Sequence, residues 1–155
     1  MAFQQWLDLF GRSTDDQELR DALAKKGIAA DALEVEKDDI SVMVDLNSEG
    51  VTLVLTDEAY LHKRDDMRIG EGAPILSEFT LWVAGTEDVS AYGGPLPLGL
   101  KQDASRASLR KRFGDPSECD DDPPSDQWTV DDLVLIVEYD EDESGISVVA
   151  LQMPD

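Results

Sequence analysis

The chain has 155 residues, 35 of them acidic and 13 basic, for a formal net charge of −22. Phosphate contacts need clustered Lys and Arg, so no nucleic-acid role is expected, and an anionic membrane surface is disfavoured for the same reason. One cysteine, Cys119, allows no internal disulfide and suits a reducing compartment. The length suits a single domain that can bury a core without cross-links.

The N-terminus MAFQQWLDLFGRS has neither a basic leader nor a long apolar run, so no secretory signal is expected, and the expected location is cytoplasmic. Phe3, Trp6, Leu7 and Phe10 follow helical spacing, with Gly11 as a stop, which predicts a short terminal helix packed on the core. The stretch STDDQELRDALAKKG predicts a second helix. Ser13, Thr14 or Asp15 is its expected cap, Lys25 and Lys26 fall in its last turn, and Gly27 follows.

ISVMVDL and VTLVLTD flank the turn-forming NSEG. Alternation puts Ile40, Val42, Val44 and Leu46 on one face of a hairpin, opposite Val51, Leu53 and Leu55. EAYLHKRDDMRIGEGAP is polar. ILSEFTLWVAG reads as a strand with Leu76, Glu78, Thr80 and Trp82 on one side and Ile75, Phe79, Leu81 and Val83 on the other, subject to a bulge. After the Gly/Pro-rich YGGPLPLGL, SRASLRKRFGDP forms a helix capped by Ser105, ended by Gly114 and blocked by Pro116. SECDDDPPSD is expected to be an exposed irregular loop. QWTV and LVLIVEY form a hairpin about Asp131-Asp132, and DEDESG turns the chain into ISVVAL.

These elements predict an α+β fold: a single domain over residues 1–155, with an antiparallel sheet of about six strands and helices on one face. Helix, hairpin and third strand occur twice, over about 13–85 and 93–151, which suggests two tandem αβββ units.

Catalytic signals are thin. His62 is the lone histidine and reads as a surface residue, and no zinc spacing or phosphate-binding glycine loop occurs. Asp140, Asp142, Ser144 and Gly145 match the first half of a calcium loop, but its twelfth position is Leu151, where a bidentate Glu is needed. A hairpin turn is the expected reading. No catalytic, metal or cofactor residue is assigned, and an enzyme is not expected. Acidic groups instead gather at turns: Asp38-Asp39, Asp57-Glu58, Asp120 to Asp122, Asp131-Asp132 and Asp140 to Glu143. A surface of that kind steers a basic protein into place.

YGGPLPLGLKQDASRASLRKRFGDP, the stretch from Trp128 to Leu151 and the upstream VDLNSEGVTLVLTDEAYL together resemble a bacterial family of small acidic immunity proteins associated with polymorphic toxins. The resemblance spans about residues 10–151. The pattern is also similar to the helix-plus-sheet repeats of β-lactamase inhibitor proteins and of the small lipoproteins of outer-membrane barrel assembly. The lipoproteins' signal and lipidated cysteine are not expected here. The resemblance implies a protein that binds a cognate toxin in the cytoplasm and occludes its active site. A nuclease is favoured because its basic substrate surface complements an acidic inhibitor, with NAD-consuming or ADP-ribosylating toxins as further targets. The expected contacts are Asp120, Asp121, Asp122, Asp140, Glu141, Asp142 and Glu143, aided by an exposed aromatic, Trp82 or Tyr92. The competing expectation for Trp82 and Trp128 is burial in the core. An effector-loading chaperone or adaptor, and then a small enzyme, are the alternatives.

Overall fold

A computed structural model of the chain describes residues 2–36 and 39–154; Asp38 of the first acidic pair lies outside them. Seven strands are described: β1 (Ser41–Leu46), β2 (Val51–Thr56), β3 (Ile75–Leu81), β4 (Glu118–Asp121), β5 (Pro124–Val130), β6 (Leu133–Tyr139) and β7 (Ile146–Gln152). They form one antiparallel sheet in the order β1-β2-β3-β7-β6-β5-β4. Four α-helices accompany it: α1 (Ala2–Leu7), α2 (Gln17–Ala24), α3 (Glu58–Leu61) and α4 (Arg106–Phe113).

The last strands of the two expected units, β3 and β7, pair at the centre. β1-β2 and β6-β5 extend outward from them in matching order. The α+β fold with an antiparallel sheet of about six strands is as expected; the sheet has seven, the additional one being β4. Glu118–Asp121, expected to be irregular, pairs with the first half of β5 and forms an edge. All four of its residues are exposed, which is how a charged edge strand survives without a hydrophobic face.

Pleating sorts the strands into two faces. On one face the cross-strand row Val44, Leu53, Phe79, Leu151, Leu135 and Trp128 runs through the core. Next to it runs Leu46, Val51, Leu81, Val149, Val137 and Asp126, followed at the β4 edge by Cys119, so a carboxylate interrupts an otherwise apolar row. Helices α1, α2 and α4 cover this face through Phe3 and Trp6, Leu19 and Leu23, and Leu109. The rings of Phe3 and Phe10 lie 6.4 and 5.4 Å from that of Phe79, and Phe113 lies 5.3 Å from Trp128. The terminal aromatic stripe is therefore core, as its spacing predicts.

Local differences have local causes. Asp16 caps α2, accepting from the amides of Glu18 and Leu19, in place of Ser13, Thr14 or Asp15. The Thr14 amide is committed to the carbonyl of Pro74, and Ser13 bridges Ile75, which pulls the chain into the sheet before the helix begins. The helix ends at Ala24, so Lys25 and Lys26 lie beyond its last turn, and Lys26 reaches Glu49 at 2.8 Å. In β3 the register changes at Ser77: Val54 pairs Glu78, but Leu55 pairs Leu76. This bulge moves Leu76 onto the core face with Phe79 and Leu81, where plain alternation put it beside Glu78. The polar segment after β2 contains α3, capped by the buried Asp57, whose carboxylate also accepts from the amide of Gly70 at 2.6 Å. α4 keeps its expected limits: Ser105 accepts from the Ser108 amide, and Gly114 leaves the helix at φ 88°.

At the β5–β6 turn, Asp131 and Asp132 both have positive φ, 51° and 65°, as a two-residue type I′ hairpin turn requires. Glycine occupies that region without the Cβ clash an aspartate meets. Asp132→Gly should therefore raise stability by about 1 kcal/mol, read as a higher urea midpoint at unchanged slope; an unchanged midpoint would show that the turn holds no strain.

Candidate partner-binding surface

One basic residue holds the expected acidic turns together. Ser105 starts α4, and the next residue, Arg106, points under the β4–β5 hairpin with its side chain only 7% exposed. Its Nη1 donates to Asp121 Oδ1 at 3.0 Å and to Glu143 Oε2 at 2.9 Å. Nη2 donates to the carbonyls of Asp120 and Ser125 at 3.0 and 3.2 Å and to Asp126 Oδ1 at 3.0 Å, and Nε donates to Asp126 Oδ2 at 3.3 Å. One turn along the helix, Arg110 grips the same carboxylate with bonds of 3.0 and 2.7 Å, and the Tyr139 hydroxyl donates to it at 3.0 Å. Asp126 is thus fully buried yet saturated with donors, the condition under which a charge survives in a core.

The electrostatics follow from this packing. Burial works against ionisation of Asp126, but the bonds from Arg110, Arg106 and Tyr139 outweigh it and hold its pKa below the usual carboxylate value. Hydrogen bonding to Asp126 raises the pKa of Arg106. Burial, then the Asp126 charge, pushes the Tyr139 phenol upward.

Arg106 therefore brings Asp120 to Asp122 and Asp140 to Glu143, about twenty residues apart in sequence, to one end of the sheet. The second group forms a self-contained turn. Asp140 Oδ1 accepts from the amides of Ser144 and Gly145, and Asp142 Oδ1 accepts from the Ser144 amide and hydroxyl. Those bonds, led by the Ser144 hydroxyl, hold the Asp142 pKa down. The residues that echo a calcium loop thus close a hairpin, and Leu151 lies in the core strand β7.

The two aromatics part company. Trp82 is half-buried, and its Nε1 donates to Thr52 Oγ1 at 3.0 Å on the sheet's second face. Tyr92, expected to be exposed, is 5% exposed, and its hydroxyl donates to the Pro95 carbonyl at 2.8 Å. Its exclusion from the surface traces to Gly50. The backbone of Ser90 and Tyr92 lies so close to the Gly50 Cα that a Cβ there would come within 2.4 Å of the Ser90 carbonyl oxygen. That approach folds the 82–92 segment back onto the β1–β2 turn.

The second face is open. One cross-strand row reads Met43, Val54, Glu78, Gln152, Val134 and Thr129, and the next reads Asp45, Thr52, Thr80, Ala150, Ile136, Gln127 and Glu118. None of the 12 basic residues among the described ones lies in a strand, so the strands give this face carboxylates, hydroxyls, carboxamides and apolar groups, and no cationic group. Among the described residues, no group of His, Cys, Asp and Glu is arranged to hold a metal ion, and no helix is long and apolar enough to cross a membrane. A cavity of about 410 Å³ lies under α3 and the following segment. Its Arg64 is already paired with Asp66 at 2.6 Å and Glu58 at 3.5 Å.

The Arg106 network makes two predictions. Arg106→Met leaves Asp126 buried with fewer donors and should cost about 3–5 kcal/mol. Amide exchange should quicken at both 118–126 and 140–145, and quickening at only one would separate the two turns. A second prediction concerns acid. Because the folded pKa of Asp126 is depressed, its contribution is present above the unfolded value of about 4 and is lost as pH falls through the folded one. Asp126→Asn should flatten stability against pH below about 4, measured by chemical denaturation.

No family model matches the chain, and neither the curated proteins nor the solved structures contain a match.

Proposed function

We propose that this chain is an immunity protein that binds a cognate toxin acting in the cytoplasm, a nuclease being the favoured target, and neutralises it by covering its active site. The observation that supports this most is the fixing of two acidic turns side by side by one buried arginine. A carboxylate surface already ordered before binding loses little conformational entropy on contact. It also attracts a cationic partner over the range of the Debye length, raising the association rate. Basic substrate-binding surfaces, such as those that grip a nucleic-acid backbone, have the complementary charge.

The test is rescue. Where the protein encoded beside this chain's gene is toxic when produced alone, cells should survive its production once the chain is co-produced. Unchanged toxicity together with altered delivery from donor cells would favour the adaptor reading. A purified pair permits a sharper measurement. Asp122→Asn with Glu141→Gln, two changes outside the Arg106 hydrogen bonds, should slow association at low salt roughly two- to tenfold and flatten its salt dependence. Unchanged kinetics would move the contact away from this rim.

A further inference from the structure

At the opposite end of the open face, α3 stands over the sheet and encloses a groove of about 200 Å³. Its apolar lining includes Ile40, Val54, Tyr60, Leu61 and Met153, and its one carboxylate is Glu78. Glu78 sits between Val54 and Gln152 in the ladder. Ile40 and Tyr60 are two of the four exposed large hydrophobic residues of the described chain, at 40% and 51%; a third, Met43, pairs with Val54 beside the groove. Two hydroxyls of its lining are satisfied internally: those of Thr56 and Ser77 lie 2.7 Å apart, and that of Ser77 donates to the Val54 carbonyl at 3.2 Å.

Glu78 accepts a hydrogen bond from Gln152, but its charge has no counterpart: among the described residues it forms no ion pair, and the strands around it contain no Lys or Arg that could supply one. Burial raises its pKa, opposed by a hydrogen bond from Gln152. A glutamine at this position would keep the shape and avoid the cost of desolvating a charge. A negative group retained in a half-apolar groove calls for a positive group on an aliphatic stem.

We propose that this groove receives one lysine or arginine side chain of the protein partner, with Glu78 taking the charged head and Ile40, Val54 and Tyr60 packing the methylene stem. The Tyr60 ring adds a face on which a cation can lie. The proposal rests on the reading of the chain as a binder of a basic protein and gives that partner a second anchor, far from the acidic rim. It also accounts for apolar exposure beside the groove, since long basic side chains bury their stems while keeping their heads paired.

The experiment needs no toxin. The full chain, ¹⁵N-labelled, is titrated at neutral pH with acetyl-arginine amide, acetyl-lysine amide and the neutral isostere acetyl-citrulline amide. The cationic probes should shift the amides of Val54, Glu78 and Gln152 saturably, with citrulline at least about tenfold weaker. Glu78→Gln should abolish the preference. The variant should fold: a raised carboxyl pKa lowers stability as pH rises through it, so E78Q should match or exceed the parent's thermal midpoint at pH about 7, with the advantage shrinking below about pH 4. An equal response to citrulline, shifts confined to residues 120–143, or a response unchanged in E78Q would overturn the proposal. A positive titration with failed rescue would remove the toxin and keep the receptor, whereas the converse would remove the receptor and keep the toxin.

Discussion

A single buried carboxylate disciplines half of this molecule. Asp126 continues a row of Leu and Val side chains, so it can remain charged only where donors are brought to it. Two arginines one helical turn apart and a tyrosine on the neighbouring strand supply them, which fixes the height and rotation of α4 over β5 and β6. Arg106 has donors to spare, and these reach the β4 backbone and the β6–β7 turn. The edge strand thus owes its position to a side chain from the opposite layer. Removing any member strands the others in a low-dielectric setting, so the network behaves as a unit.

The strands and the main helices were legible because alternation, caps and glycine stops are local signals. The β1–β2 hairpin, the β5–β6 hairpin and the limits of α4 follow directly from them. What escaped is non-local. Nothing within SECDDDPPSD announces a strand, because Glu118–Asp121 has no apolar face and is held by Arg106 from another layer. A signal did exist: Arg106 and Arg110 are spaced to share one helix face, and Asp126 stands two residues before Trp128, on the same side of a strand. A bulge in β3 was expected, but its position at Ser77, like the burial of Tyr92, depends on partners across the fold, the β2 register and the bare backbone of Gly50.

Charge is distributed by layer. The described basic residues occupy helices and connections, where many neutralise nearby acids, while the described strands carry none. The outward sheet face therefore combines aliphatic surface with unopposed carboxylates, and the acidic turns crowd one of its ends. Such a division gives a basic protein both a long-range attraction and a short-range apolar contact on the same side. The acidic composition, uninformative as a count, becomes informative once its placement is known.

The sheet ends differently on its two sides. β4 is short and carries three carboxylates in four residues, whereas β1 is six residues long, has no proline or lysine, and exposes Met43. Long plain edges are templates for strand addition between copies, and local gatekeeping residues ordinarily prevent it. Here a formal charge of −22 on each copy provides a different protection, repulsion acting at a distance. Repulsion of that kind fades with ionic strength and with protonation of the carboxylates. The colloidal behaviour of this protein is therefore set by salt and acidity, through the same field that would draw in a basic partner.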